Sequence, residues 1–406
     1  MDSGSQHLLP RLGGLRVFDT IAAHGTMSSA AATLRLTQPA VTRAIKTLEL
    51  ELGAELLERR RGGSFLTREG AILARRTRRA FAQIAAAVSE AVGKDVASDA
   101  VVRTVRNIRD VHIRGLRAIW TSGSFKGAAI ALGLAEPSLQ RPARELERLL
   151  RIPLYRRTVE GLGLTPTGLE LARRFTLAMV EVSTAIEELA AHRERAGTTI
   201  RVGVLPFAPN RLLASAVEVL IERHPRSRIV IDERLNNDLV TRLRSGAIDF
   251  IFGALSATSR FDDLGEDLLF ADPYRVVCRR AHPLLASKMP LSDIKNYGWV
   301  LPASNLRRRI VLDAFLGSWE TPPQPQFEVN GADATIGSLV TSDRLTLLPR
   351  VCVEDNIGAL STLDVAVPQP ARWVGITRRI DWLPTLPQAD LIKILKAKCA
   401  SRLSLA

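Results

Sequence analysis

Residues 28–70 read SSAAATLRLTQPAVTRAIKTLELELGAELLERRRGGSFLTREG, and the punctuation of this stretch sets its local fold. Ser28 to Leu34 is a short Ala-rich helix that follows the break HGT at Gly25. Thr37 is placed to cap the next helix, QPAVTRAIKTLELELG, with Pro39 in its first turn, where an amide partner is not needed. The small side chains of Ala30 and Ala31 let these two helices cross closely. Leu15 to Ala23 supplies an amphipathic helix ahead of them, with Leu15, Phe18, Ile21 and Ala22 on one face. A short helix, a tight turn and a capped helix rich in polar and basic residues form the helix-turn-helix pattern. LLERRRGGSFLT then gives two short extended runs around Gly62-Gly63, a hairpin wing carrying Arg59, Arg60 and Arg61. From the residues alone, the alternative is a small helical bundle whose charges are merely solvated.

The stretch occurs twice. Shifted by 98 residues, the chain aligns with itself without a gap: Gly25 falls on Gly123, Ala30-Ala31 on Ala128-Ala129, and Pro39 on Pro137. Arg43 falls on Arg141, Leu48-Glu49 on Leu146-Glu147, Thr67 on Thr165, and Gly70 on Gly168. A period this long is a duplicated small domain rather than a solenoid unit. After each copy a long helix carries an apolar seam at coiled-coil spacing. The first seam is Leu73, Thr77, Ala80, Ile84, Ala87 and Ala91, and the second is Leu171, Phe175, Ala178, Val182, Ala185 and Leu189. The bulkier second seam is expected to be the tighter. Each seam packs on its own domain, or the two pair inside one chain, or like seams pair between chains. The difference in bulk favours pairing between chains.

From Thr198 the texture changes. TIRVGV, RIVIDE and DFIFGA are short β-branched runs alternating with helical patterns such as RLLASAVEVLIERH, which predicts an α/β domain with a largely parallel sheet. Linkers are expected in 93–109, which includes KDVASDA, and in 192–199. Of the 406 residues, 46% are apolar, enough to bury cores. Lys and Arg outnumber Asp and Glu by 56 to 42, a net charge of +14 that favours a polyanionic partner. That excess is concentrated in the duplicated half. Three dispersed cysteines exclude a disulfide scaffold and a cysteine-ligated zinc. The six histidines have no metal-ligand spacing, and no GxSxG, GxxxxGK[ST] or post-strand GxGxxG occurs, so neither catalysis nor a cofactor is expected. The N-terminus lacks a signal-peptide pattern and no run of 18 apolar residues exists, from which a soluble, cytoplasmic protein is expected.

Residues 28–70 resemble the winged helix-turn-helix of LysR-type transcriptional regulators over their whole length. The resemblance is carried by Ala30-Ala31, Leu34, Gln38-Pro39-Ala40-Val41, Arg43, Ile45, Leu48-Glu49, Leu52-Gly53, Leu56, Arg59, Leu66-Thr67 and Gly70. It implies that Gln38, Ala40, Thr42, Arg43 and Lys46 lie on the exposed face of a recognition helix, with Val41, Ile45 and Leu48 buried behind. Gln and Arg can make bidentate contacts to adenine and guanine edges. Lys46, Arg59, Arg60 and Arg61 would meet phosphate or the adjacent minor groove. In copy two, Ala135 replaces the cap Thr37, Glu136 replaces Gln38 and Pro142 replaces Ala44, while Arg141 and Arg144 remain basic. Copy two is therefore expected to be a weakened or altered reader. The family ordinarily carries one such domain, so the duplication puts the usual dimer geometry in doubt.

Thr198 to about Ser401 resembles the effector-binding domain of the same family, a two-lobed fold of the type 2 periplasmic-binding-protein kind. TIRVGVLPFAPNRLLASAVEVLIERHP, RLRSGAIDFIFGAL, DPYRVVCRRAHPL and LTLLPR carry that match. The crossings between lobes are expected near 274–278 and 371–376. The expected fold is thus multidomain. A winged helix domain with its linker helix spans 11–95, and a diverged second one spans 111–194. An effector domain follows at 198–406, with lobe I at about 198–274 and 376–406 and lobe II at about 275–375. Pro206, Phe207 and Asn210 open one helix, and Ser304, Asn305 and Arg307 another. Helix starts with hydroxyl and amide groups bind carboxylates, so a carboxylate or aromatic-acid effector is expected, its ring on Phe207. The expected partners are double-stranded DNA, that effector, RNA polymerase, and further copies of the chain in a homodimer or homotetramer. Two rival functions remain open on the residues: a nonspecific architectural DNA binder, and a carrier or enzyme whose helical domains serve only oligomerisation.

Overall fold

The computed structural model describes residues 9–60, 63–93, 97–158, 161–193, 196–255, 261–286, 291–304, 306–319, 326–368 and 372–403. The chain divides into two units, Met1–Thr198 and Thr199–Ala406.

In the first unit, α1 (Leu12–His24), α2 (Met27–Leu34) and α3 (Gln38–Leu52) make the helix-turn-helix. The strands β1 (Leu57–Arg60) and β2 (Gly63–Leu66) form its antiparallel wing, and α4 (Arg68–Val92) is the long helix after it. A helix α5 (Ser98–Asn107) follows. Then α6 (Asp110–Ser122), α7 (Phe125–Leu132), α8 (Glu136–Leu150), β3 (Tyr155–Thr158), β4 (Gly161–Leu164) and α9 (Pro166–His192) repeat the plan. The segment expected to be a linker is therefore partly helical. Val101 is buried and Val105 half-buried, one turn apart, and the Arg16 guanidinium donates to the carbonyls of Val105 and Arg106 at the end of α5.

Residues shared by the copies do the same work in each. Glu49 Oε1 accepts from the Leu56 amide at 2.9 Å, and Glu147 Oε1 accepts from Leu154 at 2.8 Å, tying each wing to its third helix. Thr67 and Thr165 cap α4 and α9 by accepting from the amides of Gly70 and Gly168. A Cβ at Gly70 would lie 2.1 Å from the Leu56 carbonyl oxygen, and one at Gly168 would lie 2.4 Å from that of Leu154. Only glycine allows the long helix to start against the wing. The expected cap at Thr37 is absent: Thr37 sits at the N-cap of α3 but its side chain accepts no cap hydrogen bond. Pro39 already removes one amide from the first turn, and the amides of Ala40 and Val41 reach the Thr37 carbonyl. Ala135 in copy two thus forfeits no cap bond that copy one has. Helix α8 runs through Pro142 and matches α3 in length, at 15 residues each.

Helices α4 and α9 pack antiparallel along their lengths within the one chain. All six residues of the second seam are buried, as are Leu73, Thr77, Ala80, Ile84 and Ala87 of the first. Buried Arg76 donates to Glu188 at 2.8 Å and to Glu181 at 2.9 Å. Arg174 pairs with Glu90 at 2.6 Å. Arg76 and Arg174 are equivalent under the 98-residue shift, and so are Glu90 and Glu188, so the pairs Arg76–Glu188 and Arg174–Glu90 are exchanged by a pseudo-twofold axis. The Leu12 amide donates to Asp110 Oδ1 at 2.9 Å, a contact between equivalent positions, as expected close to such an axis. One hydrophobic core runs through both copies. This overturns the preference for pairing like seams between chains: both seams are consumed inside the chain.

In the second unit, lobe I holds β5 (Thr199–Val204), α10 (Asn210–Arg223), β6 (Arg228–Glu233), α11 (Asn236–Arg244), β7 (Phe250–Ala254) and β8 (Leu264–Ala271). Lobe II holds β9 (Tyr274–Arg279), two 3-10 turns, α12 (Arg307–Leu316), α13 (Ala332–Val340), β10 (Thr346–Pro349), α14 (Arg350–Asp355) and β11 (Leu360–Leu363). The chain returns through β12 (Trp373–Arg379) to lobe I and ends in α15 (Leu386–Leu403). Sheet order in lobe I is β6-β5-β7-β12-β8, with β5 parallel to β6 and β7 but β12 antiparallel to β7 and β8. The sheet is therefore mixed rather than largely parallel, because β12 re-enters from lobe II against the direction of its neighbours. Lobe II has a three-stranded antiparallel sheet, β10-β9-β11. Asp272, on the first crossing between lobes, is fully buried and pairs with buried Arg372 on the second, so one ion pair ties the two crossings together.

Candidate nucleic-acid interface and effector site

The apolar face of α3 is fixed by Val41, Ile45 and Leu48, all buried, which leaves Gln38, Ala40, Arg43 and Lys46 exposed on the other side. Thr42 is half-buried and its hydroxyl lies 3.6 Å from the Met27 sulfur, so it faces α2 rather than solvent. Arg60 on the wing is exposed but paired with Glu58 at 2.6 Å. Its guanidinium lies 5.8 Å from the Phe65 ring centroid. Arg59 belongs to β1, and Arg61 lies outside the described residues.

On α8, Leu139, Ala143, Leu146 and Leu150 are buried, at the positions equivalent to Val41, Ile45, Leu48 and Leu52. Its exposed face keeps Arg141 and Arg144 where copy one has Arg43 and Lys46, and presents Ser138 where copy one has Ala40. Glu136 is the first residue of α8, where the helix dipole favours a carboxylate, and accepts from Gln140 at 3.4 Å. The copies share a scaffold and a pair of exposed cations but differ in the polar groups around them.

In the second unit, Phe207 follows β5 with φ of +61°, a left-handed conformation costly for a bulky side chain. Its ring reaches the apolar cluster of lobe II formed by Val277, Val300, Leu348 and Cys352. The face expected to take an aromatic ligand is met by Arg308, whose guanidinium carbon lies 4.6 Å from the ring centroid. Pro206 is half-buried, and Asn210 is exposed at the start of α10. Ser304 is exposed, and Asn305 lies outside the described residues. Arg307 opens α12 and donates to the Leu255 carbonyl of lobe I at 3.3 Å, so it spans the lobes.

Arg308 is not among the site residues expected from sequence. It is 6% exposed, donates to the Leu347 carbonyl at 3.2 Å, and burial pushes its guanidinium down to about 10. Among the described residues no carboxylate pairs with it, whereas Arg309 beside it engages Asp313 and Glu328. Within RRRIVLDAF the helical period places Arg308 on the face of Val311, Leu312 and Phe315, all buried. The signal is present in the sequence, since an Arg on the apolar face of an amphipathic helix is a buried cation.

Burial pushes the Cys278 and Cys352 thiols up to about 12, well away from thiolate chemistry at neutral pH. Among the described residues no group of His, Cys, Asp and Glu is arranged to hold a metal, and no helix is long and apolar enough to cross a membrane.

Comparison with known proteins bears on both units. The family described as "Bacterial regulatory helix-turn-helix protein, lysR family" matches twice, at residues 12–71 and 111–169. The family described as "LysR substrate binding domain" matches residues 193–400. The HTH-type transcriptional regulator GalR of Pseudomonas putida is 30% identical over 374 residues, 91% of this chain and 93% of that protein. The HTH-type transcriptional regulator PcaQ of Agrobacterium fabrum is 25% identical, covering 72% of this chain and 95% of that protein. Among solved structures, a full-length OxyR variant from Pseudomonas aeruginosa is 20% identical with a TM-score of 0.47, covering 71% of this chain and 93% of that one. With two lysR-type helix-turn-helix matches and a substrate-binding match over about half of the chain, the chain belongs to the LysR family: it is a LysR-type transcriptional regulator with DNA-binding and effector-binding domains.

Proposed function

We propose that α3 reads a specific DNA sequence through Gln38, Ala40, Arg43 and Lys46, and that an organic acid bound between the lobes of the second unit controls transcription. The DNA reading is supported by the polar, basic outer face of α3, fixed by three buried residues behind it. Arg59, Arg60 and Arg61 are assigned to phosphate or minor groove, with Arg141 and Arg144 as the cations of the second copy. The effector class rests on Arg308, a buried guanidinium without a carboxylate partner among the described residues, stacked on Phe207. An effector carboxylate would supply the missing counter-charge, and an aromatic acid would compete for or extend the Phe207 stack. Pro206, Asn210, Ser304, Asn305 and Arg307 are assigned to the rim of that site. A ligand shifts the protein only by binding one lobe arrangement better than another.

The proposed domains are 11–95, 111–194 and 198–406, with the lobes at 198–274 plus 376–406 and at 275–375. The chain is proposed to act without enzymatic activity, in the cytoplasm, and to contact RNA polymerase, on the strength of its family. A homodimer or homotetramer would form through the second unit. That is supported by the exposed apolar side chains of Ile231 on edge strand β6 and Leu268 on edge strand β8.

The test is thermal stability of the full chain against a panel of small carboxylates, neutral amides of the same compounds and aromatic acids. An acid is expected to raise the unfolding midpoint while its amide does not, and Arg308→Lys is expected to retain the shift that Arg308→Met loses. Equal shifts from acid and amide, or an undiminished shift in a folded Arg308→Met chain, would refute the assignment.

A further inference from the structure

We propose that a single chain is a complete two-site DNA reader, binding two inverted half-sites of unlike sequence. This rests on the DNA-reading role proposed above for α3, and adds a second reader and a symmetry to it.

Three observations lead there. First, α4 and α9 pair antiparallel inside the chain, and the exchanged ion pairs Arg76–Glu188 and Arg174–Glu90 relate the two winged helix copies by a pseudo-twofold axis. Two-fold-related helix-turn-helix domains read inverted half-sites, because the symmetry of the site mirrors that of the protein. Second, the axis is built rather than incidental. Arg76 is buried between Glu188 and Glu181, the seam residues on both helices are buried, and one core serves both copies. The spacing of the two readers is thus set by a rigid helix pair within one polypeptide.

Third, copy two retains what a reader needs. Its third helix keeps full length, the same buried face, and exposed Arg141 and Arg144 at the positions of Arg43 and Lys46. Its wing is held by Glu147 as the first wing is held by Glu49. What differs is the set of base-reading groups. Gln38 and Ala40 become Glu136 and Ser138. Glutamine matches the paired donor and acceptor of adenine, whereas glutamate accepts from the amino group of cytosine and repels phosphate. A diverged, merely structural copy has no reason to keep both cations facing solvent. A copy reading a different half-site has to keep them.

The experiment uses the full chain to select binding sites from a random DNA pool, followed by measurement of chains bound per site. The expected site has two inverted halves of different sequence, protected together at one chain per two halves. Arg43→Ala with Lys46→Ala should weaken binding by about 5- to 150-fold or more, an effect that disappears when the first half is scrambled. Arg141→Ala with Arg144→Ala should do the same for the second half alone. These arginines and Lys46 are exposed in helix interiors, where alanine preserves the helix. Two identical halves each needing a chain, or a site indifferent to the Arg141 and Arg144 changes, would overturn the proposal and leave the α3 reading standing. Failure to enrich any sequence, with equal affinity for random DNA, would remove the α3 reading and the proposal with it.

Discussion

Copy one and copy two of the winged helix domain carry the same scaffold and different surfaces. Where they agree, at Glu49 and Glu147, Thr67 and Thr165, and Gly70 and Gly168, the shared residue solves a packing or capping problem that leaves little choice. Where they differ, at Gln38 and Glu136, Ala40 and Ser138, and Gly14 and His112, the residue lies at the outward end of the third helix or at a site where the scaffold tolerates a change. Duplication inside one chain lets the two halves of a symmetric device drift apart in this way. In a homodimer any change in one reader is copied into the other.

The difference can be broken at the helix pair. Arg76 and Arg174 are equivalent and each meets two carboxylates, but Arg76 is buried against Glu181 and Glu188 whereas Arg174 is part-exposed beside Glu170 and the exposed Glu90. Burial lowers the Arg76 guanidinium and its two glutamates more than restore it, so it is firmly charged. Arg76→Met takes the shared buried partner from Glu181 and Glu188, which keep Arg79 and Arg75, and is expected to cost about 3 kcal/mol, the low end for a broken buried pair. Arg174→Met is expected to cost no more than about 1 kcal/mol. Denaturant unfolding of the two variants checks this. Equal losses would mean that the helix pair is not packed as described.

A smaller effect sharpens the comparison through His112, which is buried at the position of Gly14. Burial holds its imidazole below the ordinary value, only partly offset by Glu145, whose Oε2 lies 3.5 Å away. The unfolded chain takes up a proton near pH 6.5 that the folded chain resists, so His112 lowers stability as pH falls below that point. The slope is at most about 1.4 kcal/mol per pH unit, one proton's worth. The unfolding midpoint of wild type should drop more steeply between pH 6.5 and 5 than that of His112→Gln, and parallel curves would contradict the assignment.

Much of this was legible in the sequence. The 98-residue register identified the duplication, and the family resemblance of residues 28–70 placed Val41, Ile45 and Leu48 on the buried face of α3. Three features are easily missed there, each for a physical reason. Helix α5 is short and charged, and its Val101 and Val105 become meaningful only once Arg16 and α4 give them something to pack on. The partner of each seam was hidden because a periodicity near 3.5 specifies a face and not what covers it. A seam of Ala80 and Ala87 beside one of Phe175 and Val182 reads as two separate pairings, yet small and large side chains across an interface also complement one another. Arg308 escapes notice because a run of three arginines looks solvated until the helical period is applied to each in turn.

Whether α4 and α9 of one chain pair with each other is answered most directly by cross-linking. Glu90→Cys together with Arg174→Cys places two thiols on the partly exposed ends of a cross-helix ion pair, while the three native cysteines are buried. Treated with a short bis-thiol reagent at micromolar concentration, the full chain should be linked within itself and run, under denaturing conditions, at the 44.4 kDa of one chain. A product at twice that mass would place the helix pair between chains and contradict the single-chain reader.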